Sequence, residues 1–196
     1  MVALLLVGVV SSASATVYVF YYVNATSTVQ SANITLAAGT DASGSCSVYP
    51  CATVSISSTS DTATVTMSMF KSDTTFNPPP TSYYTNLVQV KDATTGHQIQ
   101  AVQILNVASS SPNDFGKITV YYCTTQTQFL ANGSLATPAN CLGSFAITST
   151  TGGSVSGTFP VSISASGTNY IELSAYAGST ATVSDTVTFK IAVEWV

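Results

Sequence analysis

Arginine is absent, and 196 residues hold only four lysines, eight acidic residues and one histidine. Each shortage removes a class of function. A chain with net charge −4 and four cations has no basic patch with which to neutralise phosphates, so nucleic-acid binding is excluded. With 6% of residues charged, hydroxyls must make the surface polar, and serine and threonine supply 59 residues. The sequence contains no HExxH, GxSxG, P-loop or GxGxxG pattern. Asp41, Asp61, Asp73, Asp92, Asp114 and Asp185 are scattered without the DxDxDG rhythm of a calcium loop and read as turn residues. His97 reads as a surface residue in a Gly-containing turn, and Glu172 and Glu194 as outward-facing strand residues. No catalytic residue, metal ligand set or cofactor site is expected, and the chain does not read as an enzyme.

What is present argues for a folded β protein. Ten tyrosines, eight phenylalanines and many β-branched residues exclude the composition of a disordered chain. Two-residue alternation marks strand after strand: Val54 and Ile56; Ala63, Val65, Met67 and Met69; Ile118, Val120 and Tyr122; Phe159, Val161 and Ile163; Ile171, Leu173 and Ala175. The last run is the longest, with Val187, Phe189, Ile191, Val193 and Trp195 on one face and Thr188, Lys190, Ala192 and Glu194 on the other. Residues 86–90 and 99–107 are two further apolar strands, joined through a turn at Gly96, and the second slips phase between Ala101 and Val102 as at a bulge. The stretches 76–84, 109–116 and 150–158 read as turns. Strands this short and this frequent predict an all-β sandwich over residues 31–196, in preference to a barrel, with no amphipathic helix.

Cys46, Cys51, Cys123 and Cys141 lie in loops without the tight C-x-x-C spacing of a metal site. The simplest pairing is sequential, Cys46 with Cys51 and Cys123 with Cys141, although four cysteines allow three connectivities. The sequons at Asn24, Asn33 and Asn132 point to the same oxidising, extracytoplasmic setting.

The N-terminus divides in two. Residues 1–15 form an apolar leader or the start of an N-terminal helix: VALLLVGVV followed by the small-residue run SSASA, with no charge before Asp41. Residues 16–30 open with TVYVFYYV, in which every residue is β-branched or aromatic and favours a strand. Val17, Val19, Tyr21 and Val23 point one way and Tyr18, Phe20 and Tyr22 the other, so both faces favour burial.

The apolar leader, VYVFYYVNATSTV, AGT at 38–40, PPPTSYYTNLVQVKDATTG and the terminal VTFKIAVEW together resemble the TasA/camelysin-type secreted fibre proteins. More closely, they resemble the archaeal bundling pili and threads of thermophiles. The resemblance implies a jelly-roll-like sandwich that lacks one strand, supplied by the N-terminal strand of the adjacent subunit. Residues 16–23 would be that donated strand. It further implies a secreted surface filament for adhesion or biofilm, a helical homopolymer of identical subunits that can touch neighbouring filaments through Ser/Thr-rich faces. Membrane contact would be confined to export or a transient anchor. Two alternatives stand beside it: an archaeal type IV pilin with residues 1 to about 30 as one helix, and a monomeric adhesin or carbohydrate-binding module.

In the chain-entropy description the Cys123–Cys141 clip contributes about 3 kcal/mol. Non-reducing peptide mapping should recover both sequential cysteine pairs; four free thiols would overturn this expectation and the extracytoplasmic setting with it.

Overall fold

A computed structural model describes residues 34–42, 51–68, 81–92, 97–109, 115–130, 132–148, 155–164, 167–178, 180–182 and 185–195. The expected leader, the expected assembly strand, Asn24, Asn33 and Cys46 lie outside the described residues. Ser31–Val196 cluster as one compact unit.

Its described residues form ten strands: β1 Ile34–Ala38, β2 Ala52–Ile56, β3 Thr62–Ser68, β4 Thr81–Asp92, β5 Gln98–Ser109, β6 Phe115–Cys123, β7 Cys141–Thr148, β8 Val155–Ser164, β9 Thr168–Ala177 and β10 Thr186–Trp195. They form two five-stranded sheets, ordered β1-β4-β9-β6-β7 and β2-β3-β10-β5-β8, and every pairing is antiparallel. Only β2–β3 and β6–β7 join sequence neighbours within one sheet; every other connection crosses to the opposite sheet. The architecture is the expected all-β sandwich, and the one helical element among the described residues is a 3-10 turn at Pro138–Asn140.

The alternation seen in sequence explains the layering. On β10, the middle strand of its sheet, Val187, Phe189 and Ile191 are fully buried, while Val193 and Trp195 are partly buried at its end. Ala63, Val65 and Met67 of β3 flank them on one side and Ile104 of β5 on the other, through the pairs Phe189↔Val65, Ile191↔Ala63 and Ile191↔Ile104. From the facing sheet come Ile171, Leu173 and Ala175 of β9 with Ile118, Val120 and Tyr122 of β6. Both inner faces are therefore aliphatic and aromatic, and they interdigitate as stacked antiparallel sheets do. The outer faces carry hydroxyls where most proteins carry charge: Thr66 and Thr188 stand opposite each other and are hydrogen-bonded through their hydroxyls at 3.0 Å.

Irregularities fall where the pattern breaks. The β5 phase slip is a real register shift, with Gln100 skipped between Ile99 and Ala101, and both Ala101 and Val102 are buried. A second shift lies near Asn106, whose φ is +53°. On β4 the register shifts between Tyr84 and Val88, and Asp41 satisfies the displaced backbone: its Oδ2 accepts the N–H of Thr85 at 2.7 Å and of Asn86 at 3.4 Å. Gly39 makes this approach possible, because a Cβ there would lie 2.0 Å from the Asn86 carbonyl oxygen.

Four readings are corrected. Residues 81–84 open β4, residues 155–158 open β8, and Ser109 closes β5 while residues 115–116 open β6, so these parts of the three expected turns are strand. His97 is half-buried: its Nδ1 lies 3.1 Å from Asp92 Oδ1 and its ring meets Trp195 edge-on at 4.9 Å. It ties the end of β4 to the end of β10, which belong to opposite sheets.

Phe189→Ala should cost about 3–5 kcal/mol by opening a cavity between the sheets. Leu142→Ala, at a side chain 47% exposed, should stay within about 0.5 kcal/mol. Equilibrium denaturation of the two variants checks the contrast.

Candidate functional site

Between β6 and β7 the chain makes an excursion, residues 124–140, that folds back over the outer face of β9. The Cys123–Cys141 disulfide closes its base, and Thr124 N–H donates to the Asn140 carbonyl beside it at 2.8 Å. Farther out the excursion is a small hairpin, with Phe129 bridged to Leu135 and the Ala136 and Leu130 amides bonded to the Gln128 and Ser134 carbonyls, both at 2.8 Å. Gly133 turns its tip with φ +82°, a conformation that favours glycine. Cys51 is also disulfide-bonded.

Glu172 lies beneath this flap. The strand pattern places it on the outer face of β9, as the sequence indicates, yet it is fully buried. Its Oε1 accepts the Thr127 N–H at 2.8 Å, and its Oε2 has no hydrogen-bond partner among the described residues. Burial pushes its carboxyl up to about 7; the Thr127 bond opposes the shift and the Asp41 charge adds to it. Cys123, Cys141 and Glu172 place ligand-type atoms within 4.8 Å of one another, but the sulfurs are consumed in the disulfide and offer no thiolate to a metal. Glu194 is exposed on the outer face of the other sheet, where Gln103 Nε2 donates to it at 3.4 Å. Two sheets thus separate Glu172 from Glu194, and they do not form a paired-carboxylate site.

Beyond the flap, the outer face of β4, β9 and β6 forms a groove of about 220 Å³. Ser174 and Thr119 floor it, and Tyr83, Tyr121 and Tyr176 wall it. Lys117 stands at one end and the flap tip, Asn132 and Gly133, at the other. The tyrosines are held in place. Tyr83 packs against Phe129 of the flap at 4.7 Å and Tyr121 meets the same ring at 5.9 Å. Tyr176 lies over Gly116, where a Cβ would be 2.2 Å from its ring. Asn132 is exposed, and its Oδ1 accepts the Ser134 amide at 3.0 Å and the Ser134 hydroxyl at 2.7 Å.

The remaining feature is an edge. Among the described strands β7 pairs on one side only, with β6. It has eight residues, no charge and no proline, and Leu142 is 47% exposed on it. A hollow of about 310 Å³ lined by Tyr121, Leu135, Pro138, Leu142 and Ser144 lies beside it. The other edges are blunter: β1 and β2 have five residues each, and β8 carries Pro160.

Sequence reasoning singled out Asn132, Cys123, Cys141 and Glu172 separately, and the fold brings all four to one flap. It missed the tyrosine groove and β7. The signal for the groove was Tyr83, Tyr121 and Tyr176, each one residue out of phase with its strand's buried set. No family model matches the chain, and no curated protein is similar to it in sequence.

Because the folded carboxyl of Glu172 sits above its unfolded value of 4.5, the folded state holds the extra proton between pH 4.5 and about 7. The stability this confers is complete below 4.5 and lost as pH rises through 7, a change on the order of 3 kcal/mol. Melting temperature should therefore fall from pH 4.5 to pH 8, and Glu172→Gln should flatten that fall and raise the value at pH 8.

Proposed function

We propose that the protein is a structural subunit of an extracellular filament, in which residues 16–23 of one copy lie as a strand along β7 of the next. The observation that carries this reading is the β7 edge. An uncharged eight-residue strand that no described strand pairs on one side is what natural sheets ordinarily avoid, by charge, proline or shortness. Such an edge accepts an extended segment through main-chain hydrogen bonds, with side-chain pockets adding selectivity.

The segment TVYVFYYV suits that place. It is strongly β-forming and uncharged, and its two apolar faces gain from contact with Leu142 on one side and the rim of the core near Phe145 and Ile147 on the other. In this reading the strand extends a sheet at its edge. The contact is head-to-tail and therefore propagates into an open fibre. A surface of hydroxyls with few charges places little repulsion between neighbouring subunits.

Val19→Asp and Phe20→Asp on the donated segment, and Leu142→Lys and Ala146→Lys on β7, should each abolish fibres in electron micrographs. The β7 variants should keep their melting temperature, since both side chains are exposed. A soluble TVYVFYYV peptide should shorten wild-type fibres by capping the edge. Normal fibres from the β7 variants would overturn the proposed joint; failure of the unaltered protein to polymerise at all would overturn the filament reading.

A further inference from the structure

We infer that the groove walled by Tyr83, Tyr121 and Tyr176 is a binding site for a neutral saccharide ring. This does not depend on how subunits join, since β7 lies at one edge of the sheet and the groove on the outer face of β4, β9 and β6.

The lining selects the ligand class. Among the described residues no carboxylate lines the groove and only one ammonium, that of Lys117, borders it, so neither a metal ion nor a polyanion finds complementary charge there. Three phenol rings offer apolar faces with hydroxyls at their rims, over a floor of the Ser174 and Thr119 hydroxyls. A sugar ring has the matching character: C–H faces that pack on aromatic rings and an equatorial belt of hydroxyls that exchange hydrogen bonds. The volume, about 220 Å³, is below that of drug-sized pockets and suits one ring, alone or as a unit of a longer chain.

The site is also built in advance. Gly116 admits the Tyr176 ring against the β6 backbone, and Phe129 buttresses both Tyr83 and Tyr121. A Cβ on Gly133 would come within 2.5 Å of the Tyr83 hydroxyl, so the flap tip closes directly on that phenol. Rings fixed by the fold cost little entropy on binding. Finally, Asn132 of the Asn-Gly-Ser sequon stands on the rim. The ring can thus come from a glycan carried on Asn132 or from a separate polysaccharide, and the recognition chemistry is the same for both.

The test uses the full chain without glycans, titrated with methyl α-mannoside, methyl β-glucoside and methyl β-galactoside. Binding is followed by tyrosine fluorescence and by chemical-shift changes in labelled protein. At least one glycoside should saturate with a dissociation constant on the order of millimolar, as a single ring allows. Shifts should centre on Thr119, Tyr121, Ser174 and Tyr176. Tyr176→Ala and Tyr83→Ala should each weaken binding by about tenfold, and Ser174→Phe, which fills the floor from the solvent side, should abolish it. Leu142→Ala should bind as the unaltered chain does.

Glycosylated protein separates the two sources. If the Asn132 glycan occupies the groove, added glycoside binds only after Ser134→Ala, which removes the sequon at a residue outside the groove lining; if the ligand is external, it binds equally with or without that change. Absence of saturable binding by all three glycosides, or undiminished binding in Ser174→Phe, would overturn the inference.

Discussion

The face-to-face burial of β9 against β10 is the contact on which the rest of the molecule depends. Each is the middle strand of its sheet, and each turns a column of fully buried side chains inward: Ile171 and Leu173 from one, Val187, Phe189 and Ile191 from the other. In so weakly charged a chain, ion pairs cannot substitute for that burial. The apolar contact between sheets orders the strands, and every outward-facing feature is positioned by what these two strands bury. Ser174 and Glu172 face out on β9 because Leu173 and Ala175 face in.

The part of the fold governed by strict alternation was legible in the sequence. β3, β6, β9 and β10 announce their inner faces residue by residue, and even the β5 slip near Ala101 reads correctly as a bulge. The misses have physical reasons. Thr81–Tyr84 follows three prolines that signal a turn, and Gly157 disguises the start of β8, although the first segment pairs regularly with β9 and the second pairs with β5 across the shift near Asn106. β7 escapes notice because its burial alternates while its hydropathy does not: in CLGSFAIT, Gly143 stands on the inner side and Leu142 on the exposed one.

The site was less legible than the fold because it arises between elements distant in sequence. Glu172 reads as an exposed strand residue by its phase, and only a flap anchored 31 residues earlier at Cys141 covers it. His97 likewise reads as a turn residue, and its contacts with Asp92 and Trp195 depend on two strand ends from opposite sheets. The AGT phrase that carried the family resemblance has a physical role here. Gly39 lets the chain touch the β4 backbone at Asn86, and Asp41 then caps the bulge that follows Tyr84. A short motif was readable; the long-range packing that gives it purpose was not.

The hydroxyl pair Thr66–Thr188 represents the outer surface in miniature, and its chemistry sets how that surface responds to its surroundings. A threonine hydroxyl neither gains nor loses a proton over any acidity a cell meets, and dissolved salt does not screen a bond between two neutral groups. Contacts made through such a surface hold the same strength in fresh water, brine and acid. A protein clothed in this way keeps its surface contacts where the composition of the medium varies.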